Sequence, residues 1–167
     1  PSHIPSRPHP RWYFIPVSPR RPPPPPNPTS PSEVLYGELA ELLRDTGIKY
    51  HRLSCLEGKC LVLFYRPAEL ERYLDSPKIR SLLREYGYDN MNLDGMFCRL
   101  CSRIRDFAKQ GMGFPHEIGI FLGYPADDVN GFIENEGRRY LMIGYWKVYS
   151  DLTRARMIFK EYDRAKN

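Results

Sequence analysis

The side chains best suited to chemistry fall into three groups. Cys98-x-x-Cys101 has the spacing of a redox or zinc pair, and Cys55 with Cys60 could complete a four-thiolate set. His116 and Glu117 stand together before an apolar helical pattern, His51 lies on a predicted strand, and Lys147 sits between Trp146 and Tyr149. These are the candidates for acid–base work. The third group is aromatic: Tyr124, Tyr145, Trp146 and Tyr149 are the candidate binding surface, since ring faces with a polar tip suit ligand pockets as well as cores.

Spacing weakens each catalytic reading. A thioredoxin-like pair needs a helix N-terminus to lower its thiol pKa, yet Cys98 and Cys101 fall inside one helical repeat, with Cys101 on its apolar stripe. Cys55 and Cys60 would face each other across a hairpin with x4 rather than x2 spacing, so zinc is not required by the pattern. All four cysteines are read first as thiols of a reducing compartment, and no metal or cofactor is expected. Adjacent on a helix, His116 and Glu117 would point about 100° apart, and the second histidine of a His-Glu-x-x-His zinc helix is missing. The chain has no phosphate loop, no Gly-x-Gly-x-x-Gly and no Gly-x-Ser-x-Gly.

The elements that must position these residues follow from periodicity. Leu35, Leu39, Leu42 and Leu43 predict an amphipathic, core-packed helix that ends before Gly47. Residues 48–56 and 60–65 flank Glu57-Gly58 and read as a β-hairpin, its second strand apolar on both faces and so covered on both. Pro67 and Pro77 open two helices. The strongest stripe is Leu93, Met96, Phe97, Leu100, Cys101, Ile104, Phe107 and Ala108, a central core helix stopped by Gly111 and Gly113. Pro115 and Pro125 open two shorter helices, residues 140–148 form a candidate third strand, and Asp151 caps a last helix. The expectation is an α+β fold, a small antiparallel sheet packed by about six helices, as one domain over residues 32–167.

Charge and proline content set residues 1–31 apart. Thirteen of the 17 prolines lie there, including the run from Pro22 to Pro26, so this stretch is expected to be a disordered arm without helix or ladder. It holds the aromatic cluster Trp12-Tyr13-Phe14-Ile15 and the pattern Arg20-x-x-Pro23-x-x-Pro26, which has the form of an SH3 ligand. Residues 1–32 also carry four arginines and no acid, leaving 21 basic against 20 acidic side chains for the remainder of a chain whose formal charge is +5. A body so near neutrality lacks the footprint of phosphate-backbone binding. Without an apolar run long enough for a bilayer or an export signal, a cytoplasmic location is expected, with no membrane partner.

The stretch Phe-Pro-His-Glu-Ile-Gly-Ile-Phe-Leu-Gly-Tyr-Pro-Ala-Asp-Asp-Val-Asn-Gly-Phe-Ile over residues 114–133, followed by Gly-Tyr-Trp-Lys-Val-Tyr over 144–149, resembles the bacterial family called domain of unknown function 3793. The likeness extends more loosely through Leu-Phe-Tyr-Arg-Pro at 63–67 and Leu-Arg-Glu-Tyr-Gly at 83–87, and the arm does not share it. It implies a shared fold and a bacterial, cytoplasmic setting, and no activity. Residues 114–133 also fit helix-turn-helix spacing, but the second helix offers Asp127, Asp128 and Glu134 and no Lys or Arg, a surface DNA would repel. The acids at that helix start are read as dipole complements. The function expected is therefore a non-catalytic binding or regulatory domain whose partner meets residues 114–149. The alternatives are a small enzyme or zinc protein using His116, Glu117 and Lys147 or the four cysteines, and a nucleic-acid binder using the basic arm with Arg99, Arg103, Arg105 and Lys109.

Overall fold

The computed structural model describes residues 12–16, 31–56 and 59–165. Among them the elements run β1 (Trp12–Pro16), α1 (Pro31–Leu43), β2 (Lys49–Leu56), β3 (Lys59–Tyr65), α2 (Pro67–Leu74), α3 (Pro77–Glu85), α4 (Leu93–Gln110), α5 (Ile118–Phe121), α6 (Ala126–Glu134), β4 (Met142–Ile143), β5 (Lys147–Val148) and α7 (Leu152–Arg164). This is an α+β architecture with two small antiparallel sheets.

The first sheet has the order β1-β3-β2, which places the doubly apolar β3 in the centre. Residues 12–16 thus form a strand where a structureless arm was expected: Trp12 pairs with Leu63 and Pro16 with Lys59. Four residues of high β-propensity between prolines are enough for an edge strand, where a terminal proline's missing N–H is tolerated. The remainder of the arm, its SH3-ligand pattern included, lies outside the described residues, as does the Glu57-Gly58 turn. On the other side β2 pairs with β3 from Lys49–Tyr65 to Leu56–Lys59, with an irregularity between Arg52 and Ser54 that tucks Leu53 into the core.

One face of the sheet, carrying Leu53, Leu63 and Tyr65, packs against α4 through Met96, Phe97, Leu100 and Ile104. Asn92 caps α4 by accepting a hydrogen bond from the Gly95 amide, and Gly111 ends it in the left-handed region. The stripe read from sequence is buried for three turns only; at the C-terminal end Phe107 is exposed. Helices α2, α3, α5 and α6 complete the same core with Leu70, Leu74, Leu82, Leu83, Ile120, Phe121 and Val129. Helix α1 departs from the expectation of core packing: Leu42 is 74% exposed, and Leu39 and Leu43 are only half-buried. Its period is right, but the core is already closed by the later helices, and a pattern alone does not say whether a face finds a partner.

Residues 140–148, expected as a candidate third strand, fold back at Gly144 into the separate β4–β5 hairpin, with Met142 opposite Val148 and Ile143 opposite Lys147. A Cβ on Gly144 would come within 2.2 Å of the Phe159 ring, so the turn needs glycine to lie against α7. Trp146, Val148 and Ala155 form a second small core, with Tyr145, Phe159 and Tyr162 packed around them.

The main core is tied through one buried acid. Glu117 is fully buried and accepts from both Arg103 of α4 and the Tyr88 hydroxyl, the latter at 3.1 Å. Arg103 also lies over the Tyr86 ring at 5.4 Å, and neighbouring Arg99 donates to the Tyr86 carbonyl at 2.8 and 3.1 Å. Burial and the Glu117 charge together push the Tyr88 hydroxyl pKa far up, so it remains a donor. Removing one partner of such a pair strands the other charge. Arg103→Met should therefore lower the urea-unfolding free energy by about 3–5 kcal/mol; a loss under about 1 kcal/mol, the range of exposed pairs, would show that the pair does not hold the core.

Candidate functional site

A cavity of about 220 Å³ opens between α5, α6 and the β4–β5 hairpin. Its floor is aliphatic, from Ile118, Leu122 and Val129, and its sides are the rings of Tyr124, Phe132 and Trp146, with Phe114 at the rim. His116, Lys147 and the nearly buried Asp128 supply its polar lining.

Local structure explains the shape. Gly123, at φ +75°, ends α5 after one turn, and the Tyr124 amide returns to the Gly119 carbonyl at 3.0 Å. A Cβ on Gly119 would approach Val129 to 2.9 Å, so the small residue lets α5 and α6 meet closely and leaves room for the cavity beside them. Tyr124 stacks on Trp146 with 5.2 Å between centroids, and its carbonyl accepts from the Tyr73 hydroxyl of α2. At the far end of α6 the chain turns through Gly137, whose carbonyl accepts from Lys147 at 2.7 Å.

The wall itself is held by Asp128, which is 3% exposed. Its Oδ2 accepts from the Trp146 indole at 2.7 Å, and its Oδ1 accepts from the Tyr149 amide at 2.8 Å, the Ser150 amide at 2.9 Å and the Ser150 hydroxyl at 2.8 Å. Three donors converge on Oδ1 and one on Oδ2. The dipole explanation of this acid is thus incomplete: Asp128 is the fastener between α6 and residues 146–150. Nothing local in the sequence signals it, because its partners lie 18 to 22 residues away.

Of the acid–base candidates, His116 and Lys147 share the cavity, whereas Glu117 turns away into the Arg103–Tyr88 cluster. The His116 ring lies 5.0 Å from Phe132 and 5.3 Å from Phe114, and burial lowers its pKa against the opposing pull of Glu117. The Lys147 ammonium lies 5.0 Å from the Tyr140 ring centroid and 5.6 Å from that of Phe132. Of the four aromatic candidates, Tyr124 and Trp146 line the cavity, while Tyr145 donates to Asp163 at 2.7 Å on the α7 side and Tyr149 packs against Gly131.

The cysteines do not assemble as a tetrad. Cys55 and Cys60 are directly opposed in the β2–β3 ladder, with 4.1 Å between Cα atoms, and form a disulfide, which corrects their reading as free thiols. Neighbours across an antiparallel pair are already close enough to bond. Cys98 is exposed and Cys101 half-buried. No group of three or more His, Cys, Asp or Glu able to hold a metal occurs among the described residues.

A pairing invisible in sequence brings His51 to Cys101, Nε2 to Sγ 3.8 Å, with the thiol directed at the Arg52 carbonyl and His51 stacked on Phe97 at 4.5 Å. Burial raises the thiol pKa and lowers that of the imidazole, the reverse of the thiolate–imidazolium pair a cysteine nucleophile requires. Arg99 and Arg103 are likewise committed inward, which removes half of the four-residue basic helix surface considered for nucleic acid.

The chain belongs to the family described as protein of unknown function (DUF3793), whose model matches residues 26–167. No curated protein and no solved structure matches it. No helix among the described residues is long and apolar enough to cross a membrane.

His51 and His116 both have pKa values below the ordinary 6.5. Between those lowered values and 6.5 the unfolded chain binds more protons, so stability is fully present above 6.5 and falls as the pH drops through that window. Urea midpoints should decline from pH 7.5 to 5.5, and His51→Gln should flatten the decline. Histidine resonances titrating above 6.5 would reverse the sign.

Proposed function

We propose that this DUF3793 protein is a non-catalytic, cytoplasmic binding domain whose ligand enters the aromatic cavity between α5, α6 and the β4–β5 hairpin. The observation that carries the reading is the fate of the two buried acids. A hydrolase or isomerase at this site would need a carboxylate or an activated base facing substrate. Glu117 and Asp128 both have structural partners on their oxygens, and only one of them borders the cavity. The space is lined mainly by apolar surface, with His116, Lys147 and the engaged Asp128 as its ionisable groups, the usual make-up of a recognition pocket.

The cytoplasmic setting is part of the proposal; among the described residues no helix is long and apolar enough to cross a membrane. In that setting cellular thiols would open the Cys55–Cys60 bridge, and the ladder on either side of it remains to hold β2 to β3. The cavity depends on neither cysteine.

Screening the isotope-labelled chain against single-ring fragments by NMR tests the proposal. Shifts should concentrate at Ile118, Leu122, Val129, Phe132 and the Trp146 indole, with the fragments recovered unchanged after prolonged incubation. Hits scattered elsewhere, or chemical conversion of a bound fragment, would contradict it.

A further inference from the structure

The polar groups around the cavity can be counted one by one, and the count selects a ligand charge. Asp128 lines the cavity but is 3% exposed and already holds four donors, three on Oδ1 and the Trp146 indole N–H on Oδ2. The Tyr124 hydroxyl is directed at the Tyr145 carbonyl at 3.4 Å. That leaves His116, whose ring nitrogens make no hydrogen bond among the described residues, and Lys147. An ammonium has three donors, and Lys147 gives one to the Gly137 carbonyl. No carboxylate among the described residues forms an ion pair with it; its other neighbours are the faces of Tyr140 and Phe132.

A positive charge at the edge of a largely apolar space thus has unused donors and no ion-pair partner among the described residues. The aromatic walls alone would also suit a cationic ligand, since ring faces attract ammonium groups. Here that attraction already goes to Lys147 on Phe132, and a second cation would meet the first, with the lining Asp128 carboxylate almost wholly buried and engaged by four donors of its own. An anion gains both the charge and the free donors. The volume limits the body of the ligand. At about 220 Å³ the cavity is smaller than the roughly 300–1,000 Å³ of sites for drug-sized molecules, which fits one ring and a short side chain.

Resting on the proposed role of this cavity as a binding site, we infer that its ligand is a small monocarboxylate with a single flat ring, the ring held among Tyr124, Phe132 and Trp146 and the carboxylate on the Lys147 ammonium. The neutral imidazole of His116 can add a hydrogen bond to the same group.

Phenylacetate, phenylacetamide and phenethylamine share one ring and differ in the charge of the head group. Titrated against the full chain at pH 7.5 and low salt, with pocket resonances as the readout, phenylacetate should bind about tenfold tighter than the amide, a difference of about 1.4 kcal/mol, and phenethylamine weakest. Lys147→Met should bring acid and amide to equal affinity, and Lys147→Arg, which keeps the charge, should preserve the preference. Equal binding of acid and amide to the native chain, or tighter binding of the amine, overturns the anion assignment while leaving the cavity as a binding site. If none of the three shifts any pocket resonance at millimolar concentration, both this inference and the binding role of the cavity fall.

Discussion

The carboxylate of Asp128 is the constraint on which the candidate site depends. Two-residue strands such as β4 and β5 are too short to hold a hairpin in place by their own ladder. Residues 146–150 are fixed instead by one acid in the first turn of α6, which gathers an indole N–H, two amides and a hydroxyl. Once Trp146 is bonded there, its ring stacks on Tyr124 and meets Phe159 edge-on, so the wall of the cavity and the second core are set together. Gly131 serves the same junction. A Cβ there would lie 2.5 Å from Tyr149, whose amide is already bound to Asp128.

Glu117 does for the main core what Asp128 does for the wall. Both are buried acids that would be costly if left without partners, and each has donors from distant segments. Between them run α5, its glycine turn and the start of α6, so this short stretch is anchored by an ion-paired acid at one end and a four-donor acid at the other. Both buried acids are engaged in holding the architecture, and the largely apolar cavity is edged by His116 and an ammonium that has no ion-pair partner among the described residues.

Much of the fold was legible from local pattern because local pattern caused it. The helices opened by Pro67 and Pro77, the long stripe of α4 and the Asp151 cap all appear where periodicity and capping place them. What failed depends on partners that sequence does not display. Leu39, Leu42 and Leu43 of α1 have helical spacing but little to pack on, and residues 12–16 found a free strand edge within a proline-rich stretch. The candidate site was half legible. Aromatic density pointed to Tyr124 and Trp146, and His116 and Lys147 stood out as isolated polar groups that the structure brings to one cavity. The sequence could not show that Glu117 faces the other way, that Asp128 is a fastener, or that His51 meets Cys101, because each contact spans from 14 to 50 residues.

The most direct test of the account is amide and indole hydrogen exchange in Asp128→Asn. An amide in place of the carboxylate cannot accept from the Trp146 indole and from residues 149 and 150 at once. Exchange of the Trp146 indole proton and of the Tyr149 and Ser150 amides should accelerate by about tenfold or more, while amides of the β2–β3 ladder keep their protection. Unchanged exchange at those three positions, or an equal acceleration throughout the sheet, would show that the Asp128 carboxylate is not what holds the wall of the cavity.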